Sequence, residues 1–226
     1  MGKSLESTAE ARIRAVLAGV TDPGIRIVFI ERYESSLEEF VNSMGEAHKR
    51  WEKLHSTIKG SEERAHISSL VWGVINNQVV SMKLLLMGLL VPAGNAQRHV
   101  LEGVAFALLA SRREIGVRQK YIEGKYSTHK AIAQIKRYAI KLGLSPEALE
   151  QLERVSKFYD ECSHPSLITV AHSIFMDGSP SLVLGGFFDE GKVPIYDKEV
   201  QSRVNLASQF CNFIDAVEYN LMQDKV

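Results

Sequence analysis

Arg98-His-Val-Leu-Glu102-Gly-Val-Ala-Phe-Ala-Leu-Leu-Ala110 sets two opposite charges one helical turn apart in a segment that is otherwise almost wholly apolar. Read as a helix, the apolar residues at 100, 101, 104, 105, 106, 108 and 109 cover every azimuth, which is the pattern of a helix buried on all sides. Glu102 then has apolar neighbours around it, and Arg98 lies about 40° away on the same face. A buried charge is costly unless it is paired and hydrogen-bonded, so Arg98 and Glu102 read as a pair that is either structural glue or the edge of a site.

Helical patterns extend outward from this segment in both directions. Ser7 and Glu10 have capping-box spacing for a short first helix, and Thr21-Asp22-Pro23 supplies a cap followed by proline at the first helical position. From Pro23 to about Ile58, Ile27, Ile30, Tyr33, Leu37, Phe40, Val41, Met44, Ala47, Trp51, Leu54 and Ile58 recur at spacings of mostly three and four, predicting one amphipathic helix of unusual length. Gly60 breaks it and Ser61 caps the next helix, an apolar run to Val91 interrupted by Asn76, Asn77, Gln78 and Lys83. Three amides and a lysine there argue for a buried helix rather than a membrane span, with at least one amide hydrogen-bonded across helices.

Pro92-Ala93-Gly94-Asn95 is expected to turn the chain, and the helix from about Ala96 to run into Arg112 and Arg113 or on to Tyr121. Ala131, Ile132, Ile135, Ala139 and Leu142 form a further stripe ended by Gly143, and Ser145-Pro146-Glu147 caps a helix that Pro165 should stop near His164. Residues 174–196 change character and predict a small β-hairpin, after which Val200, Val204, Ala207, Phe210, Ile214, Val217 and Leu221 predict one final helix from Asp197. The expected fold is all-α: a single domain over residues 1–226, a bundle of about seven helices with a small hairpin. A helix near 35 residues spans roughly 50 Å, more than a compact monomer of this size covers, so a homodimer is expected.

Composition narrows the function classes. Twenty-seven cations balance 27 anions, so net charge favours neither nucleic acid nor membrane. Cys162 and Cys211 have no metal-ligand spacing and fit a reducing compartment, the N-terminal residues lack the apolar run of a secretory signal, and a cytoplasmic location follows as an expectation. Walker, Rossmann and HExxH patterns are missing, so neither a metal nor a cofactor is expected.

Two elements could carry chemistry together. Tyr159 lies on the apolar stripe of its helix and needs a partner for its hydroxyl; Ser163 is one turn on, and His164 sits at the helix end. One reading has Arg98, Glu102, Tyr159, Ser163 and His164 converge on a polar cavity, with His164 and Glu102 as acid–base candidates and Arg98 holding an anion. The other is a buried polar network that fixes helix register. A separate signal lies between Arg112 and Lys141, where nine cations face two carboxylates, with Tyr121, Tyr126 and Tyr138 interleaved. Arg112, Arg113, Arg118 and Lys120 are its nucleic-acid-binding candidates, cations for phosphate and rings for bases; the alternative is a solvated basic face.

Arg98-x-x-x-Glu102 followed by Tyr159-x-x-x-Ser163-His164-Pro165 at a helix end resembles bacterial helical proteins placed near the HEPN superfamily, over about residues 60 to 175. The resemblance implies a helical bundle, dimerisation and a role with RNA or nucleotides, including in defence. The ribonucleases of that superfamily pair an Arg with a His after four to six residues, the first usually polar; Arg50-Trp-Glu-Lys-Leu-His55 has the spacing, but Trp51 stands at the polar position, so no catalytic residue is carried over. Three readings stay open: a helical binding or interaction protein, RNA- or defence-related by the resemblance; an enzyme or small-ligand protein using Arg98, Glu102, Tyr159 and His164; and a dimeric scaffold without a ligand.

Overall fold

The computed structural model describes residues 13, 14, 16, 23–163, 166–176 and 181–223, with the backbone alone at 23, 162, 163 and 168. Its elements are α1 (Pro23–Arg32), α2 (Glu34–Ser56), α3 (Glu62–Leu86), α4 (Leu90–Ala110), α5 (Val117–Ile122), α6 (Ala131–Ile135), α7 (Pro146–Ser163), α8 (Leu167–His172), α9 (Val193–Ser208) and α10 (Phe210–Gln223). Two short strands, β1 (Ile174–Phe175) and β2 (Ser181–Leu182), pair antiparallel with Ile174 opposite Leu182. The fold is therefore an all-α bundle with a small hairpin. No helix among the described residues is long and apolar enough to cross a membrane.

Arg98–Ala110 lies in α4, at the centre of the bundle. α4 packs along α3, with α6 and α7 against it, while α2 and α9 lie against α3 and each other, and α10 lies against α2, α4 and α9. Val100, Leu101, Ala105, Phe106, Leu108 and Leu109 of α4 are all buried, and each large apolar side chain so buried contributes about 1.5–3 kcal/mol.

Several boundaries differ from those the sequence predicts. The 23–58 helix is interrupted at Tyr33 (φ −113°, ψ 22°), although Tyr33 N–H still donates to Phe29 O and Leu37 N–H to Tyr33 O. The Tyr33 ring lies against Phe29 and its hydroxyl donates to Asp197 at 2.8 Å, so a tertiary contact sets the bend. The turn before α4 falls at Gly88 (φ +72°), not at Pro92-Asn95. Pro92 sits in the first turn of α4, where the missing N–H has no intrahelical acceptor to lose.

α4 stops at Ala110 rather than continuing towards Tyr121; Gly116 (φ +69°) separates α5 from the preceding turn. The stripe from Ala131 folds as the short α6 followed by a 3-10 turn at Lys136–Tyr138, and Gly143 (φ +64°) ends it as predicted. The final helix begins earlier than Asp197, with Pro194 in the first turn of α9, and breaks at Gln209 before α10. The Ser7 capping box, the Thr21-Asp22 cap and the Pro165 stop lie outside the described residues.

Candidate functional site

α7 presents two adjacent polar residues to two different partners. Tyr159 is fully buried and donates to Glu199 Oε2 at 3.2 Å, with Ser202 Oγ at 3.4 Å. Asp160 instead forms an ion pair with Arg98, its Oδ1 3.0 Å from Nε. Successive helical side chains diverge by about 100°, so the helix that reaches the centre through Tyr159 reaches the rim through Asp160. Tyr159 thus joins Glu199 and Ser202, not the Arg98/Glu102 pair that the sequence reading grouped with it.

The centre is a chain of buried polar groups linking α3, α4, α7 and α9. Arg203 is 0% exposed; its Nη1 donates to Glu199 Oε2 at 2.6 Å and to Glu199 O at 2.9 Å, and its Nε donates to Ser81 Oγ at 2.9 Å. Ser81 Oγ lies 3.0 Å from Ala93 O and 2.9 Å from Gln97 Oε1. Gln78 Nε2 donates to Arg203 O at 3.0 Å, so the buried member of the amide triplet bonds across helices while Asn76 is exposed. Arg203 Nη2, Gln97 Nε2 and Gln78 Oε1 are buried and reach no hydrogen-bond partner among the described residues.

Arg203 and Tyr159 both hold their protons more tightly than usual. Burial disfavours the Arg203 cation most, but the Glu199 carboxylate and the Tyr159 phenol beside it more than offset that, and its pKa lies above the ordinary value. Tyr159 is pushed up to about 12, first by burial, with Arg203 pulling the other way. At neutral pH the phenol is therefore a hydrogen-bond donor and not a nucleophile.

The rim holds the pair predicted from sequence. Arg98 Nε donates to Glu102 Oε1 at 3.0 Å and pairs with Asp160, and His99 Nδ1 lies 3.8 Å from Glu102 Oε2. Glu102 is buried and Arg98 half-buried. The arrangement ties α7 to α4 with one guanidinium between two carboxylates. Of the other candidates, His164 lies outside the described residues, as does the side chain of Ser163.

Beneath the hairpin a second group of buried charges fastens α8 and the loop to the bundle. Asp189, 0% exposed, accepts from Met176 N–H at 2.6 Å and Gly191 N–H at 3.0 Å. Lys192 donates to His172 O at 3.0 Å, capping the end of α8, and lies 4.4 Å from the centre of the Phe187 ring. Burial pushes Lys192 below the ordinary lysine value, with Asp189 pulling it back.

Burial also pushes His172 below its ordinary 6.5; Glu199 opposes the shift and Lys192 adds to it. A base depressed in the folded state binds its proton more readily when unfolded, so the stability it contributes is full above pH 6.5 and is lost as pH falls through the folded-state value. His66, also lowered chiefly by burial, adds to the same loss. Unfolding free energy is expected to fall below pH 6.5, and His172→Gln to flatten that fall; an unchanged slope in chemical denaturation of this variant would contradict the assignment.

The basic segment is largely engaged with its own chain. Arg112 pairs with Glu114 at 3.2 Å, Arg118 with Glu63 at 3.2 Å, Lys125 with Glu123 at 2.8 Å, and Lys136 with Glu153. Tyr121 packs on Phe106 at 4.7 Å between ring centres, and Tyr126 stacks on it at 5.6 Å. Arg113 and Lys120 are exposed.

Two clefts lie away from the polar chain. One, about 380 Å³, runs between α2 and α3 and is lined by Phe40, Met44, Ile75, Val41, Trp72 and Val79 together with Gly45, His48 and Asn76. The other, about 570 Å³, lies at the α2–α3 connection around Lys59 and Arg64. Compared with protein-family models, curated proteins and solved structures, the chain finds no match.

Arg203, Glu199, Ser81 and Gln97 are the central residues that sequence reasoning missed. Glu199 and Arg203 carry the same i, i+4 signal as Arg98 and Glu102, but they flank Val200 and Val204 in a helix with many exposed polar residues. Such a pair reads as a solvated ion pair until the helices packed over it are known.

Proposed function

We propose that this protein is a helical interaction protein that works as a homodimer, and that its buried polar chain holds the helices in register rather than performing chemistry. The observation carrying this reading is the sealing of that chain: Arg203, Tyr159 and Glu199 are 0%, 1% and 5% exposed. An acid, base or anion-binding group has to meet its substrate, whereas groups buried in contact with one another specify which helices pack and how. The charges nearer the surface, Arg98, Glu102 and Asp160, are joined to each other.

Apolar surface is what the fold offers to a partner. Val41, Trp72 and Val79 are 60%, 40% and 46% exposed around one cleft. The basic segment lends less to this reading, because several of its cations and rings are spent within the chain. Light scattering at micromolar concentration is expected to give twice the chain mass of 25.2 kDa; a strictly monomeric mass would refute the homodimer.

A further inference from the structure

The geometry points to the α2–α3 face as the place where the second copy docks, the two α2 helices running antiparallel and crossing near Gly45. This rests on the homodimer reading above and names its surface and register. The cleft there has an apolar floor of Phe40, Met44 and Ile75 and exposed apolar rims. Exposed apolar side chains gathered around one groove mark a surface that gains by being covered.

Gly45 supplies a second observation. It lies in the interior of α2, lines the cleft, and a Cβ built on it would meet nothing within 4 Å in its own chain. Glycine weakens a helix interior relative to alanine, and no contact within this chain uses the missing side chain. A second backbone or side chain seated over Gly45 does.

Charge decides the occupant and its direction. The first part of α2 carries Glu34, Glu38 and Glu39 with no cation, and the last part carries Lys49, Arg50 and Lys53 interleaved with Glu46 and Glu52. A second copy laid antiparallel sets Glu38 opposite Lys49 and Glu34 opposite Lys53; both pairs share one midpoint, between Ser43 and Met44, so a single two-fold register satisfies both and repeats each. All four residues are exposed. The same register seats the exposed Asn42 over Gly45 of the second copy. Parallel pairing sets the three glutamates against their own copies, which is repulsive. Three charges of this segment already meet a partner in their own chain: Arg50 pairs with Asp215, His48 lies 3.7 Å from Glu52, and Lys49 Nζ donates to Glu46 Oε1 at 2.7 Å. The Lys49–Glu46 pair is exposed and so holds Lys49 weakly, and docking exchanges it for Glu38 of the second copy.

The test measures dimer dissociation in the full chain for the wild type, Gly45→Gln, Glu38→Lys, Lys49→Glu and the double reversal Glu38→Lys/Lys49→Glu. Gly45→Gln is expected to be monomeric at micromolar concentration while keeping its helical circular dichroism. Each single reversal acts twice in a symmetric dimer and is expected to raise the dissociation constant about tenfold, with the double reversal returning it to near the wild-type value. A wild-type dimer that persists at full strength in Gly45→Gln and both single reversals would move the contact to another face while leaving the homodimer intact. Single reversals that weaken the dimer without rescue in the double variant would overturn the antiparallel register, and a monomeric wild type would overturn this inference and the homodimer together.

Discussion

Glu199→Ala is expected to destabilise the protein by about 3–5 kcal/mol, because it leaves the Arg203 cation in the interior without its counter-charge. The guanidinium is 0% exposed and gives Glu199 its shortest contact, 2.6 Å. Removing the carboxylate also strips Tyr159 of its acceptor. Domains are stable by roughly 5–15 kcal/mol in all, so the loss is a large fraction of the total and corresponds to a fall in thermal midpoint of roughly 10 °C at this chain length.

Arg203→Met alone is expected to be similarly harmful, since it leaves the Glu199 carboxylate buried. The double variant Glu199→Leu/Arg203→Met is expected to recover most of the loss, because an apolar pair of similar volume removes the desolvation cost together with the attraction. Urea unfolding of the four proteins completes the cycle. A double variant as unstable as the sum of the two singles would mean that the charges act independently, and the register-fixing role would fall with it.

The second large effect is expected at Gly88. The segment that follows the hairpin lies across the α3–α4 turn, with Phe187 N–H directed at Gly88 O at 3.5 Å. A Cβ on Gly88 would stand 2.4 Å from Phe187 O and 2.5 Å from Phe187 N, both backbone atoms that cannot rotate away. A Cβ on Gly186 would meet Met87 O from the other side. This close approach anchors Phe188, which packs on Phe29 and Tyr196 at 5.1 and 5.4 Å between ring centres.

Gly88→Ala therefore combines left-handed backbone strain with displacement of a packed strand of chain, and about 3–5 kcal/mol is expected. Gly116 has nearly the same φ, +69° against +72°, but open space where its Cβ would be. Gly116→Ala should thus report the backbone strain alone, about 1–2 kcal/mol. Equal losses for the two variants in urea unfolding would show that the crossing segment yields freely.

Legibility in the sequence followed how local each determinant was. Gly143 and the Ser145-Pro146 cap end one helix and start the next through their own backbone preferences, and both stand where the residues predict them. Arg98 and Glu102 pair as their i, i+4 spacing predicts. Tyr159 was legible as an inward phenol needing a partner, but its partner was not, because Glu199 lies 40 residues away. The bend at Tyr33 depends on Asp197, 164 residues distant, and no local pattern announces it. Pro92 misleads for the opposite reason: proline both ends helices and suits their first turn, and only the preceding Gly88 turn selects the second role.

What the sequence determined by itself is the class of fold and the need for buried partners: apolar residues at helical spacing along most of the chain, and charges and amides set among them that had to be satisfied inside. What only the tertiary structure decided is which groups meet. Helical periodicity specifies the face a side chain points from, but the face it points at depends on how α7 and α9, far along the chain, pack against the α3–α4 pair. That packing placed Tyr159 on Glu199 and Asp160 on Arg98, and it made the ordinary-looking Glu199/Arg203 pair, rather than the conspicuous Arg98/Glu102 pair, the sealed centre of the bundle.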